Sequence, residues 1–129
     1  MAARSGDWYK QAVHDLDHAR RALDSGDFAW ACFAAQQAAE KALKAVYQHR
    51  GAEAWGHSVF QLLESLPLDS PADPALLELG KGLDKHYIPA RYPNAYPEGA
   101  PYEYYTKAEA ERAIAQSGQI LGFCESLLS

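Results

Sequence analysis

Residues 28–50, FAWACFAAQQAAEKALKAVYQHR, decide the fold. Phe28, Cys32, Ala35, Ala39, Leu43 and Val46 recur at the three- and four-residue steps of one helical face. Ala31, Ala34, Ala38, Ala42 and Ala45 widen that face. A helix from Phe28 to Arg50 is about 34 Å long at 1.5 Å per residue. Side chains this small let a neighbouring helix come close, so this helix is expected at the centre of a bundle. Gly51 is its stop. Gly26 ends the element before it, and Asp27 stands ready as a cap.

Working outward, the same period reads a first helix over about Asp7–Ser25, with Tyr9, Ala12, Val13, Leu16, Ala19 and Leu23 on its inner side. Beyond Gly51, Ser58 caps a short helix that buries Val59, Leu62, Leu63 and Leu66. The segment PLDSPADP (67–74) is a turn, after which Asp73 caps a fourth helix and Pro74 suits its first position. Leu76, Leu77, Leu79, Leu83 and Tyr87 carry its packing, while Gly80 and Gly82 weaken it locally. Pro89 disfavours helix in the residue before it, which predicts an end near Ile88. Thr106 and Glu109 form a capping box for the last helix, whose inner stripe is Ala110, Ala113, Ile114, Ser117, Leu121, Cys124 and Leu128. Val, Ile and Thr are scarce and no alternating strand pattern appears. The fold class expected is all-α, with five helices in a single domain over residues 1–129.

Composition narrows the function classes. The chain has 129 residues, 48% hydrophobic and 22% charged, as a globular domain of this size requires. A net charge of −5 argues against a general nucleic-acid coat protein, which needs a broad basic surface, but leaves room for a local basic pocket. No apolar run reaches the ~18 residues of a membrane span. The N-terminal stretch MAARSGDWYK has no apolar core after Arg4, so a cytoplasmic protein is expected. Cys32 and Cys124 fall inside apolar helical stripes and read as buried free thiols. His14 and His18 are four apart on the first helix, a spacing that suits a metal, but they fall on its solvent side. No metal and no cofactor are expected.

The unusual stretch is HYIPARYPNAYPEGAPYEYY (86–105), with four prolines and six tyrosines. Lys81, Lys85, His86 and Arg91 lie at or beyond the fourth helix, and Tyr92, Asn94 and Tyr96 follow. Arginine presents a planar donor fork suited to phosphate, and tyrosines stack on bases. Pro89 and Pro93 bracket Arg91 and restrict its backbone. Two readings compete here: an anion-binding cluster of Lys85, His86, Arg91, Tyr92, Asn94 and Tyr96, or a loop whose tyrosines cover the bundle end.

The run CFAAQQAAEKALKAV (32–46), the Gly-His-Ser at 56–58 with Leu62 and Leu63, and the segment LDKHYIPARYPNAYPEGAPYEYYTKAEAE (83–111) together resemble the HEPN family. The resemblance spans nearly the whole chain. It implies an up-and-down bundle of four long helices plus a short one, usually a homodimer. It also implies a nucleotide or RNA ligand and, in prokaryotes, a nucleotidyltransferase partner in a toxin–antitoxin-like pair. Many members are metal-independent RNases that act through an Arg followed, four to six residues on, by a His. Arg91 matches that Arg. After four further residues stands Tyr96, and His86 precedes Arg91 by five positions. The resemblance thus leaves a binding protein, an RNase using Arg91 with His86 or Tyr96, and an interaction module as the readings to compare. Trp30 and Phe33 lie off the main stripe of the second helix, which gives it apolar surface to spare for a two-fold partner.

Overall fold

The computed structural model of the chain describes residues 4–128; residues 1–3, the start of the MAARSGDWYK stretch, and residue 129 lie outside it. Among the described residues there are six α-helices and no strand. Four are long: α1 (Ser5–Asp24), α2 (Phe28–His49), α4 (Pro74–Asp84) and α6 (Lys107–Leu127). Two are short: α3 (Val59–Glu64) and α5 (Pro101–Tyr104). This is the expected up-and-down bundle, with one helical turn more than the five elements read from the sequence.

Helix α2 is the axis of the bundle. Most of its 22 residues are buried, and Ala31, Cys32, Ala35, Ala38, Ala39, Ala42, Leu43, Ala45 and Val46 are fully enclosed. Helix α1 packs along one side of it through Ala12, Leu16, Ala19 and Ala22, and α6 along another through Ala110, Ala113, Ile120, Leu121 and Cys124. The reversal from α1 to α2 uses Gly26 at φ +77°, where its N–H bonds Leu23 O and the Asp27 N–H bonds Ala22 O. That is the Schellman arrangement, which needs a left-handed residue and therefore favours glycine. Gly51 closes α2 in the same way. Tyr9 Oη donates to Leu121 O at 3.2 Å and Tyr47 Oη to Leu62 O at 2.7 Å, so each buried hydroxyl finds a carbonyl on a neighbouring helix or its flank. Both cysteines are free and buried, and burial pushes each thiol up to about 12.

Three of the four caps read from the sequence are present, while Asp27 stands at the start of α2 but its side chain makes no capping hydrogen bond. Ser58 Oγ accepts from Gln61 N–H, Asp73 from Ala75 N–H, and Thr106 with Glu109 forms the capping box. Two further features differ from expectation. Helix α4 ends at Asp84, and the chain runs on through tight turns to Arg91, because Pro89 lacks the N–H that a continuing helix needs. The tyrosine-rich stretch is also more ordered than a loop. Pro93 opens a 3-10 turn over Pro93–Ala95, and Pro101 opens α5, where Glu103 accepts from Ala100 N–H.

Gly80 is not simply a weak point of α4. A Cβ there would lie 2.9 Å from Phe60 N and 3.2 Å from Leu63 Cδ1, so the glycine lets α4 cross α3 at close range. Gly80→Ala should therefore destabilise the protein by about 1–3 kcal/mol through overpacking, against the ~1 kcal/mol that alanine gains in helix propensity. Urea denaturation checks this, and a midpoint unchanged or raised would mean that the two helices part freely.

A single carboxylate fixes that crossing. Asp84 Oδ1 accepts from Val59 N–H at 2.6 Å, and Oδ2 accepts from Ser58 Oγ at 2.7 Å and Phe60 N–H at 3.1 Å. The last residue of α4 thus satisfies the open N–H groups at the start of α3.

Candidate functional site

The turn after α4 brings Arg91 against aromatic rings. Its guanidinium carbon lies 4.3 Å from the centre of the Phe33 ring, 4.7 Å from that of Tyr87 and 5.0 Å from that of Tyr92. Its Nε donates to Tyr87 O at 2.9 Å, a carbonyl the broken helix leaves open. Stacking and this one bond hold the planar group in place. Its two terminal nitrogens take no hydrogen bond or ion pair among the described residues. A half-buried arginine with its fork free is a pre-oriented anion receptor.

On the same Tyr87 ring lies His57, stacked with centroids 4.9 Å apart and planes 16° from parallel. His57 ends the connection before α3 and is held at both its backbone and its ring. Its carbonyl accepts from Gln36 Nε2 at 2.9 Å, and its Nδ1 lies 3.2 Å from Glu40 Oε2. Glu40 is only 4% exposed, and the same Oε2 receives Lys44 Nζ at 3.1 Å. Gln36 and Gln37 both reach its other oxygen. Gln36, Glu40 and Lys44, spaced by four along α2, thus form a polar row at the edge of an alanine face.

The remaining residues expected at the site divide into two groups. Lys85 and His86 line a cleft of about 300 Å³ between α4 and α6, with Glu109, Arg112 and Gln116. His86 Nδ1 lies 2.9 Å from Tyr105 Oη, and burial pulls its pKa below the usual histidine value. Tyr96 stacks on Tyr104 at 4.2 Å and donates to Pro89 O at 3.0 Å. Burial raises the pKa of both Tyr96 and Tyr105. His86 pairs with Tyr105 and Tyr96 with Tyr104 and Pro89, partners separate from those of Arg91. Tyr92 belongs to the Arg91 group, and Asn94 is exposed in the 3-10 turn.

Sequence reasoning singled out Arg91 and Tyr92 but not Phe33, Glu40, His57 or Tyr87 as companions. The available signal was the row Gln36, Glu40, Lys44, polar residues set into a helix otherwise built to be buried. His14 and His18 are both exposed, and among the described residues no three His, Cys, Asp or Glu side chains are grouped to hold a metal. No helix among them is long and apolar enough to cross a membrane.

Comparison with known proteins gives consistent matches. The family model for the HEPN domain matches residues 5–127. The crystal structure of TT1696 from Thermus thermophilus is similar with a TM-score of 0.94 and 52% identity, over 97% of this chain and 98% of that one. ST0689, described as an archaeal HEPN homologue, gives a TM-score of 0.82 and 44% identity, over 98% of each chain. A HEPN domain protein from Thermotoga maritima, tm0613, gives 0.77 and 41%, over 95% of this chain and 97% of that one. No curated protein matches the chain.

Proposed function

The chain belongs to the HEPN domain family, and on that premise we propose that it binds a nucleotide or a short RNA segment through Arg91. The observation that carries this reading is the guanidinium stacked on Phe33 and Tyr87 with its terminal nitrogens free. Phosphate supplies the pair of accepting oxygens such a fork takes, and Tyr92, 48% exposed, offers a face for a base. Lys85, His86, Asn94 and Tyr96 act as the wider surround of that site rather than as its centre. The test is a fluorescence titration of a short labelled RNA and of mononucleotides at fixed salt, comparing wild type with Arg91→Ala.

The same reading includes assembly. Trp30, 48% exposed, meets the Phe33 ring edge-on at 5.8 Å, so an apolar rim borders the cation. A two-fold axis near this rim covers it and sets two Arg91 side chains side by side, concentrating positive charge on an acidic body. Light scattering should give twice the 14.2 kDa of one chain; a value of one chain mass at micromolar concentration counts against the dimer. A nucleotidyltransferase partner in a toxin–antitoxin-like pair rests on the family alone, and an adjacent nucleotidyltransferase gene is the observation that supports it.

A further inference from the structure

We infer that the cleft between α4 and α6 is a second binding site, separate from that of Arg91, and that it takes a small phosphorylated sugar. The inference stands independently of the Arg91 reading. Lys85 and His86, placed above in the surround of Arg91, line this cleft of about 300 Å³ together with Gly82, Glu109, Arg112 and Gln116. None of the rings that hold Arg91 is among its walls. Glu109, Arg112 and Gln116 recur at steps of three and four along α6, which sets them on one face of that helix. Gly82 supplies room on the other wall. A Cβ there would lie 3.0 Å from Gln116 Nε2 and 3.3 Å from its Oε1, so the missing side chain lets the amide lie close over α4.

The walls carry charge that the fold leaves uncompensated. Lys85 and Arg112 are exposed, and neither makes a hydrogen bond or ion pair among the described residues. The acid one turn before Arg112 is Glu109, and Thr106 engages it. Glu109 Oε1 accepts from the Thr106 N–H at 3.1 Å and from Thr106 Oγ1 at 3.2 Å, while its second oxygen has no partner among the described residues. His86 Nδ1 is taken by Tyr105 Oη at 2.9 Å, which leaves Nε2 without one. Burial is the main cause that holds the His86 imidazole below the usual histidine pKa; Glu109 opposes it, and Lys85 and Arg112 push the same way as burial. Two cations that together disfavour a third across a cleft are poor packing and a good receptor for a dianion.

The chemistry of the walls selects the ligand. A phosphate monoester carries about two negative charges and three accepting oxygens. The Arg112 fork takes a pair of those oxygens and the Lys85 ammonium another. Beside the cations stand the open oxygen of Glu109 and the amide of Gln116, acceptors and donors that suit hydroxyl groups. Among the described residues no Tyr, Phe or Trp ring lines the cleft, and the His86 imidazole is tied to Tyr105, so a nucleobase gains little stacking there. The volume is at the small end for a ligand pocket and admits one sugar-sized molecule rather than a strand. A bound dianion also cancels the field of Lys85 and Arg112 at His86, so the imidazole holds its proton more tightly.

The test titrates ribose 5-phosphate, ribose and AMP into the full-length protein by isothermal calorimetry at fixed salt, on wild type and on Arg91→Ala. Ribose 5-phosphate should bind both proteins alike, and ribose should bind neither. In Arg91→Ala, AMP should bind no more tightly than ribose 5-phosphate. Lys85→Ala and Arg112→Ala, both at exposed positions, should each weaken the sugar phosphate about tenfold or more, and Lys10→Ala should leave it unchanged. Gln116→Leu should weaken ribose 5-phosphate but not inorganic phosphate. In wild type saturated with ribose 5-phosphate, the His86 ring proton followed by NMR should titrate at a higher pH than in the free protein. Wild type that does not bind ribose 5-phosphate overturns the inference and leaves the Arg91 reading standing. Binding that Arg91→Ala abolishes puts the phosphate at the first site and overturns it too, as does a His86 titration that the ligand leaves unmoved. Equal losses in Lys85→Ala, Arg112→Ala and Lys10→Ala would reduce the site to attraction by overall charge. AMP that binds Arg91→Ala far more tightly than the sugar phosphate does would replace the sugar by a base, and either result overturns the assignment.

Discussion

Arg91→Ala is expected to weaken binding of a short RNA about tenfold to a hundredfold, the loss of charge-assisted hydrogen bonds worth roughly 1.5–3 kcal/mol. The fold should survive, because the side chain makes one internal hydrogen bond and otherwise rests on rings that remain packed against each other. Arg91→Lys should recover little. A lysine keeps the charge but neither lies flat on Phe33 and Tyr87 nor presents two parallel donors. Lys10, exposed on α1, serves as the control: Lys10→Ala removes the same charge and should leave the dissociation constant unchanged. Equal losses in both variants would mean that the protein attracts RNA by overall charge, and Arg91 would lose its special place.

Asp84→Ala is the substitution expected to cost most in stability, about 2–4 kcal/mol, since it strips partners from two backbone N–H groups and a hydroxyl in a half-buried place. At roughly 4 °C per kcal/mol for a domain of this size, the melting temperature should fall by about 10 °C. Asp84→Asn keeps an accepting oxygen and should recover part of the loss. Thermal unfolding followed by circular dichroism decides the matter; a melting temperature within a degree or two of wild type would show that water replaces the carboxylate at no cost.

The bundle was legible because its signals are local. The alanine stripe of α2, the glycines at 26 and 51 and the caps at Ser58, Asp73 and Thr106 each act within a few residues, and each appears where the sequence reads it. Arg91 was legible for the same reason, since two prolines and a run of tyrosines mark the turn that carries it. The rest of the site was not, because it forms between elements. Phe33 and Glu40 come from α2, His57 from the approach to α3 and Tyr87 from the turn after α4, and no pattern along the chain pairs position 40 with position 57. The expected meeting of His86 and Arg91 took the helix to run to about Ile88, with His86 near one turn before the break. Tight turns begin at Lys85 instead, and the two side chains take different neighbours.

Asp84 has a second consequence, concerning motion. It stands three residues before Tyr87, and the Ser58 hydroxyl it holds belongs to the residue after His57. One side chain therefore acts as a clasp between the two strips of backbone that carry the stacked histidine, tyrosine and arginine. Displacement of either strip alone must first open the clasp, so thermal fluctuation moves both together and preserves the spacing between them. A ligand meeting this surface encounters a receptor whose parts drift in phase, and it gives up little entropy in bringing them to order.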